Sequence, residues 1–116
     1  MSEVARTVSQ HFAKSSPSVR ETYDAILRAS RNLGPVSEDP KKTSIHLVRE
    51  KAFAGIATRR ERLLLTLKAA RPMKSQRVRR SEQASANRWH LEIPLACANE
   101  VDEELCEWLA AAYELG

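Results

Sequence analysis

The spacing of apolar side chains changes from a helical to a strand period once in this chain, at Gly34-Pro35, and that switch bounds the fold. Before it, Val19, Tyr23, Ile26, Leu27, Ser30 and Leu33 fall three and four apart, a mostly apolar stripe that predicts a helix over 16–34. Its start lies in Ser16-Pro17-Ser18-Val19-Arg20-Glu21. Either Ser16 caps with Pro17 as the first helical residue, or Ser18 and Glu21 form a capping box. Gly34 supplies a left-handed stop and Pro35 refuses further helix. Upstream, within 1–15, Val4, Val8 and Phe12 suggest a shorter helical segment that docks Phe12.

From residue 36 to 96 the period is about 2. Ser44–Arg49 reads as a strand with Ile45 and Leu47 inward, and Ala52–Thr58 as the next. Arg62–Lys68 follows, with Leu63, Leu65 and Leu67 inward. The connections at Glu50-Lys51 and Arg59-Arg60-Glu61 are too short for parallel crossovers, so neighbouring strands must be antiparallel. Glu38 and Asp39 fall in a loop before these strands. Residues 70–87 are polar and basic, a loop with room for one more strand around Gln76 to Glu82. Arg88–Leu95 alternates most cleanly: Trp89, Leu91, Ile93 and Leu95 share one face, Arg88, His90, Glu92 and Pro94 the other. Pro94 lacks an N–H, which places the strand at an edge or ends it there. A final helix over 99–115, capped by Asn99, carries Val101, Leu105, Trp108, Leu109 and Ala112 on its apolar stripe, with Tyr113 beside them. The expected fold is α+β: one domain over 1–116, an antiparallel meander of about five strands, with N-terminal and C-terminal helices packed mainly on one face.

Charge divides the chain by function class. Residues 41–88 carry fourteen basic side chains against three acidic, and residues 89–116 carry seven acidic and no basic ones. Such asymmetry suits an anionic partner for the middle segment, or an acidic C-terminal helix lying against basic strands. No run reaches the roughly 18 apolar residues of a membrane span, and the start lacks a secretion signal. Two cysteines, Cys97 and Cys106, are too few for a disulfide framework. The expectation is a cytoplasmic protein without membrane attachment; the spacing leaves oligomeric state open.

The series His11-Phe12, Gly34-Pro35-Val36, Lys42, Ile45, Phe53-Ala54, Leu65, His90, Asp102, Trp108-Leu109 and Ala112-Tyr113 resembles a bacterial family, domain of unknown function 5655. The resemblance runs from about Thr7 onward. Its ending is the most specific part, Val101-Asp102-Glu103-Glu104-Leu105 followed by Trp108-Leu109-Ala110-Ala111-Ala112-Tyr113, and the basic stretch from Lys42 to Phe53 comes next. What it implies is a set of domain boundaries and no particular activity.

Three candidate sites emerge. The strand alternation turns Ser44, His46, Arg62, Thr66, Lys68, Arg88, His90 and Glu92 to the polar sheet face. Lys42, His46, Arg49, Arg62, Arg88 and His90 are candidates for a phosphate or carboxylate ligand, provided their strands are neighbours. Arg59, Arg60, Lys74, Arg77, Arg79 and Arg80 are candidates for nucleic-acid phosphates, read as solvated loop residues. Of six aromatics, Phe12, Tyr23, Phe53, Trp89 and Trp108 fall on core stripes, which disfavours base stacking. His90, Cys97 and Cys106 lack the paired spacing of a structural zinc site, so no metal or cofactor is expected. Glycine-rich phosphate loops are absent, and no nucleophile with an orienting base stands out. The sequence therefore favours a non-enzymatic binding module for an anionic partner, nucleic acid included, using 41–88. A small-ligand enzyme or enzyme accessory around His46 and His90 is the alternative, and a protein-interaction or homodimer module, using the strand that ends at Pro94, is the third.

Overall fold

The structure, a computed structural model, describes residues 7–116. Val4 lies outside the described residues, while Ser9–Phe12 forms a single 3-10 turn. Phe12 docks as expected, its ring 5.2 Å from that of Tyr23. The first long helix, α1, spans Pro17–Arg31 and buries Val19, Thr22, Tyr23, Ile26 and Ser30. Ser16 occupies the cap position with Pro17 after it, but its hydroxyl faces that of Ser18 at 3.1 Å rather than capping. The Ser16 N–H instead donates to the Arg60 carbonyl at 2.7 Å, so the helix start is tied to a strand turn. The helix ends before Leu33, which is 40% exposed.

Six strands follow: β1 (Ser37–Pro40), β2 (Ile45–Val48), β3 (Ala52–Thr58), β4 (Leu63–Ala69), β5 (Arg80–Ser85) and β6 (Arg88–Leu95). They form one antiparallel sheet in the order β1-β2-β3-β4-β6-β5. Six replaces the expected five because Glu38 and Asp39, read as loop, pair with Leu47 and His46. The meander also breaks once. Residues 70–79 carry the chain past one strand position, so β6 lies between β4 and β5. That order gives the apolar strand two neighbours: Leu91, Ile93 and Leu95 pair with Leu67, Leu65 and Leu63. The polar β5, Arg-Ser-Glu-Gln-Ala-Ser, is left at the edge, where polar side chains and charges are tolerated. β6 is therefore not an edge strand. Arg79 N–H donates to the Glu92 carbonyl, so even-numbered residues of β6 turn their backbone groups toward β5. Pro94 comes after the last paired residue on that side, where its missing N–H costs nothing.

A second 3-10 turn, Ala98–Glu100, leads to α2 (Glu103–Glu114). Asp102, not Asn99, is its cap, accepting from the Leu105 N–H at 3.0 Å. Leu105, Leu109, Ala112 and Tyr113 are buried against the sheet and α1. Both helices cover one face, and Ile45, Leu47, Ile56, Leu63, Leu65, Leu67, Ile93 and Leu95 meet them there, each no more than 1% exposed. Phe53 joins this core, as expected, although Ala54 and Ile56 on the same strand also face it, and its ring lies 5.3 Å from that of Tyr113. A bulge accommodates both parities: Leu47 pairs with Ala54 but Val48 with Ala52, leaving Phe53 as the extra residue. Trp89 and Trp108, expected on the core stripes, are only partly buried. Trp108 borders the core under the Arg77 guanidinium, 5.7 Å from its ring centre.

Candidate functional site

Covering one sheet face leaves the other open, and its rows are set by the register. Asp39, His46, Gly55, Thr66, Glu92 and Arg80 form a row across all six strands. The next row brings Lys68, His90 and Glu82 together. Between them lies a groove of about 320 Å³, lined by Ser44, His46, Thr66, Lys68 and His90 with small residues beneath. The floor exists because β3 presents Ala52, Gly55 and Ala57 to it. A Cβ at Gly55 would sit 3.6 Å from His46 Cδ2, an ordinary van der Waals contact, which places the ring directly beside this position. The imidazole thus leans over β3 toward the centre of the groove.

β2 and β6 are not neighbours, contrary to the condition under which His46 and His90 would converge. Two strands separate them, about 14 Å at ordinary strand spacing. The two imidazoles are opposite walls, and a ligand touching both must lie across β3 and β4. Cross-strand carboxylates stand beside each ring, Asp39 opposite His46 and Glu82 opposite His90. Neither orients an imidazole. Asp39 pairs with Lys41 at 2.9 Å and Glu82 with Arg80 at 2.9 Å. Glu92 is held by Arg79 at 3.6 Å. With these carboxylates engaged elsewhere, no His–carboxylate dyad that could activate a nucleophile forms in the groove among the described residues.

One end of the groove is cationic. Lys68 donates from Nζ to the Leu115 carbonyl at 3.5 Å, just past the end of α2. Burial first, then the nearby Arg88 and Lys51 cations, hold its ammonium below the ordinary lysine pKa. None of Lys51, Lys68 and Arg88 forms an ion pair among the described residues.

The other sequence candidates scatter. Lys42 is exposed in the β1–β2 turn, and Arg62 sits at the start of β4, at the far end of that strand from Lys68. Arg49 turns away from the open face: it donates to the Tyr113 carbonyl at 3.1 Å and lies 4.5 Å over that ring. Arg77 is no solvated loop cation. It binds Asp102 at 2.9 Å, Glu104 at 3.1 Å and the Glu100 carbonyl at 2.5 Å. Desolvation would lower its pKa, but the Asp102 and Glu104 hydrogen bonds outweigh it and raise it. Part of the charge asymmetry is thus internal, basic middle against acidic C-terminal helix. Arg80 lies in β5 rather than a loop, Arg79 immediately before it, and Lys74 is exposed in the β4–β5 connection. Arg59 and Arg60 share the β3–β4 turn; β5 runs parallel to β4, so its start, with Arg79, lies toward that same end of the sheet but two strands away, and Lys74 lies in the connection that crosses between the ends.

Reasoning from sequence missed the floor of the groove and Lys51. The floor had a signal, small residues at outward positions of a central strand; Lys51 lies in the β2–β3 connection, where alternation assigns no direction, and had none. Among the described residues no three His, Cys, Asp or Glu side chains gather where they could hold a metal ion. Cys97 is exposed, and Cys106 is free, with burial and then Asp102 and Glu103 raising its thiol pKa. No helix among the described residues is long and apolar enough to cross a membrane.

No curated protein and no solved structure matches the chain. A family model does, over residues 8–116, and with nearly the whole length covered the chain belongs to the family described as Domain of unknown function (DUF5655).

Proposed function

We propose that the chain is a non-enzymatic binding module for a small anionic ligand, a carboxylate or phosphate, held in the groove between His46 and His90. The observation that carries this reading is the composition of the lining. It contains two imidazoles, an ammonium and two hydroxyls, and no carboxylate. Arg88 and Lys51 add positive potential at the Lys68 end, so an anion entering there relieves repulsion among three unpaired cations. Ser44 and Thr66 supply neutral hydrogen-bonding groups along the groove. A ligand spanning the width would place its acidic end near Lys68 and His90 and a polar end near His46. Two free thiols and the lack of a membrane-spanning helix among the described residues fit a cytoplasmic setting for this role.

The test is a thermal-shift titration with inorganic phosphate and with succinate. Ligand binding to the folded state raises Tm with ligand concentration. The shift should be largest at neutral pH and fade as the solution becomes alkaline. The lowered Lys68 pKa means that its charge is lost before that of an ordinary lysine, and affinity for an anion goes with it. Lys68→Met should remove most of the shift while leaving the unliganded Tm nearly unchanged. An equal shift in wild type and Lys68→Met with both anions would refute the reading.

A further inference from the structure

At the opposite corner of the molecule, the 3-10 turn before α1 lies against the β3–β4 turn and encloses a cleft of about 420 Å³. Three hydrogen bonds hold the two segments together. Thr58 Oγ1 donates to the His11 carbonyl at 2.6 Å, Ser15 Oγ to the Arg59 carbonyl at 2.7 Å, and the Ser16 N–H to the Arg60 carbonyl at 2.7 Å. These contacts use main-chain oxygens of both arginines, which leaves the guanidiniums free to face the cleft.

His11, Lys14, Arg59 and Arg60 all line it. Lys14, Arg59 and Arg60 form no ion pair among the described residues. Arg59 spends one N–H on the Thr58 carbonyl at 3.0 Å and keeps the others. Glu61, the carboxylate in the same turn, is exposed and pairs with none of them. His11 Nε2 is buried and has no hydrogen-bond partner among the described residues. A buried polar atom without a partner is costly unless something arrives to satisfy it. Two forked guanidiniums and an ammonium around one cavity, with the His11 ring in its wall, match the several oxygens of a phosphate better than the two of a carboxylate.

We infer that this cleft is a second site, for a phosphate group, independent of the groove on the sheet face. The phosphate would accept from the Arg59 and Arg60 guanidiniums and from Lys14, with His11 Nε2 as the innermost contact. Its source could be a free phosphate or the backbone of a nucleic acid laid across the β3–β4 turn, with exposed Arg62 extending the basic surface.

NMR of the full chain separates these sources. The His11 ring resonances are followed while inorganic phosphate, and separately a short DNA duplex, is added to wild type and to the Arg59→Gln/Arg60→Gln variant. Gln preserves the carbonyls that hold Ser15 and Ser16, so the variant should fold. A saturable His11 shift with inorganic phosphate, lost in the variant, supports the site with a free phosphate as ligand. A shift only with the duplex supports it with backbone phosphates as ligand. Then affinity should fall with salt, and the salt slope should flatten by about 2 in the double variant, about 1 for each contact removed. No His11 shift with either probe, or a shift unchanged in the variant, overturns the inference. Filling the sheet groove with Gly55→Val should leave the His11 response intact, so the two sites succeed or fail separately.

Discussion

Gly34 sits at φ +153°, and a Cβ there would run into the Tyr113 hydroxyl, which donates to the Pro35 carbonyl at 3.0 Å. The glycine therefore serves two ends, a left-handed backbone and the close approach of α2 to the α1–β1 turn. Gly34→Ala should destabilise by more than about 1 kcal/mol in urea denaturation, because it adds backbone strain to a clash. Combining it with Tyr113→Phe removes the oxygen in the way and should recover part of the loss, the backbone strain remaining. An additive double variant would show that the contact is unimportant. Sequence identified Gly34 as a helix stop from its pairing with Pro35, but not the clash, since Tyr113 is 79 residues away along the chain. The same limit applies to tryptophan. Trp89 and Trp108 have the right parity and period for the core, yet period fixes a direction and not how much chain covers it. Trp89 lies opposite Ala69 and Gln83 on polar β5, which cannot close over it.

Elements were legible where one rule decided them and obscure where two competed. The helical stripe gave α1, and alternation gave β2, β4 and β6, because the side chains of one parity in each strand are the most deeply buried. β1 is four residues with two acids and a proline, so alternation has nothing to work on. Glu38 is nevertheless held, its carboxylate accepting from the buried Tyr23 hydroxyl at 2.5 Å. Burial and then Glu38 push the Tyr23 phenol well above its usual pKa, so the pair persists at neutral pH with the phenol as donor. At the start of α2 the sequence pointed to Asn99, whereas the cap is Asp102, which Arg77, 25 residues upstream, also binds. Arg77→Ala should lower Tm more than the Arg79→Ala/Arg80→Ala double variant. The latter loses surface pairs between half-exposed or exposed side chains, worth within about 1 kcal/mol each. The Leu105 N–H, then Arg77, hold the Asp102 carboxyl below its ordinary pKa of 3.8. A folded pKa below the unfolded one gives stability that is complete above the unfolded value and lost as pH falls through the folded one. In an acid titration the Tm gap between wild type and Arg77→Ala should therefore narrow only below the ordinary carboxylate range. A gap of equal size at all pH values would mean that Arg77 acts through the Glu100 carbonyl and its packing on Trp108, not through the carboxylates.

At the scale of the molecule, helices on one face and a bare sheet on the other follow from two amphipathic helices and short antiparallel connections. That layering, and the polar identity of the open face, could be read from alternation alone. The strand order could not, because it depends on where a ten-residue connection lands. Strand order in turn decides whether His46 and His90 touch or face each other across a groove. Charge was legible in amount but not in destination. Arg49 pairs with Glu114, Arg77 with Asp102 and Glu104, and Arg79 and Arg80 with Glu92 and Glu82; of the cations left unpaired among the described residues, one group lies at the Lys68 end of the groove and another at the β3–β4 turn. The proposed function rests on the first of these two sites. Its most direct test is an NMR titration at low ionic strength that follows the His46 and His90 rings and the Gly55 amide as succinate is added. The prediction is one saturable binding curve shared by all three, abolished in Gly55→Val, which fills the floor. Absence of a saturable response at His46 and His90, with the fold intact, would contradict it.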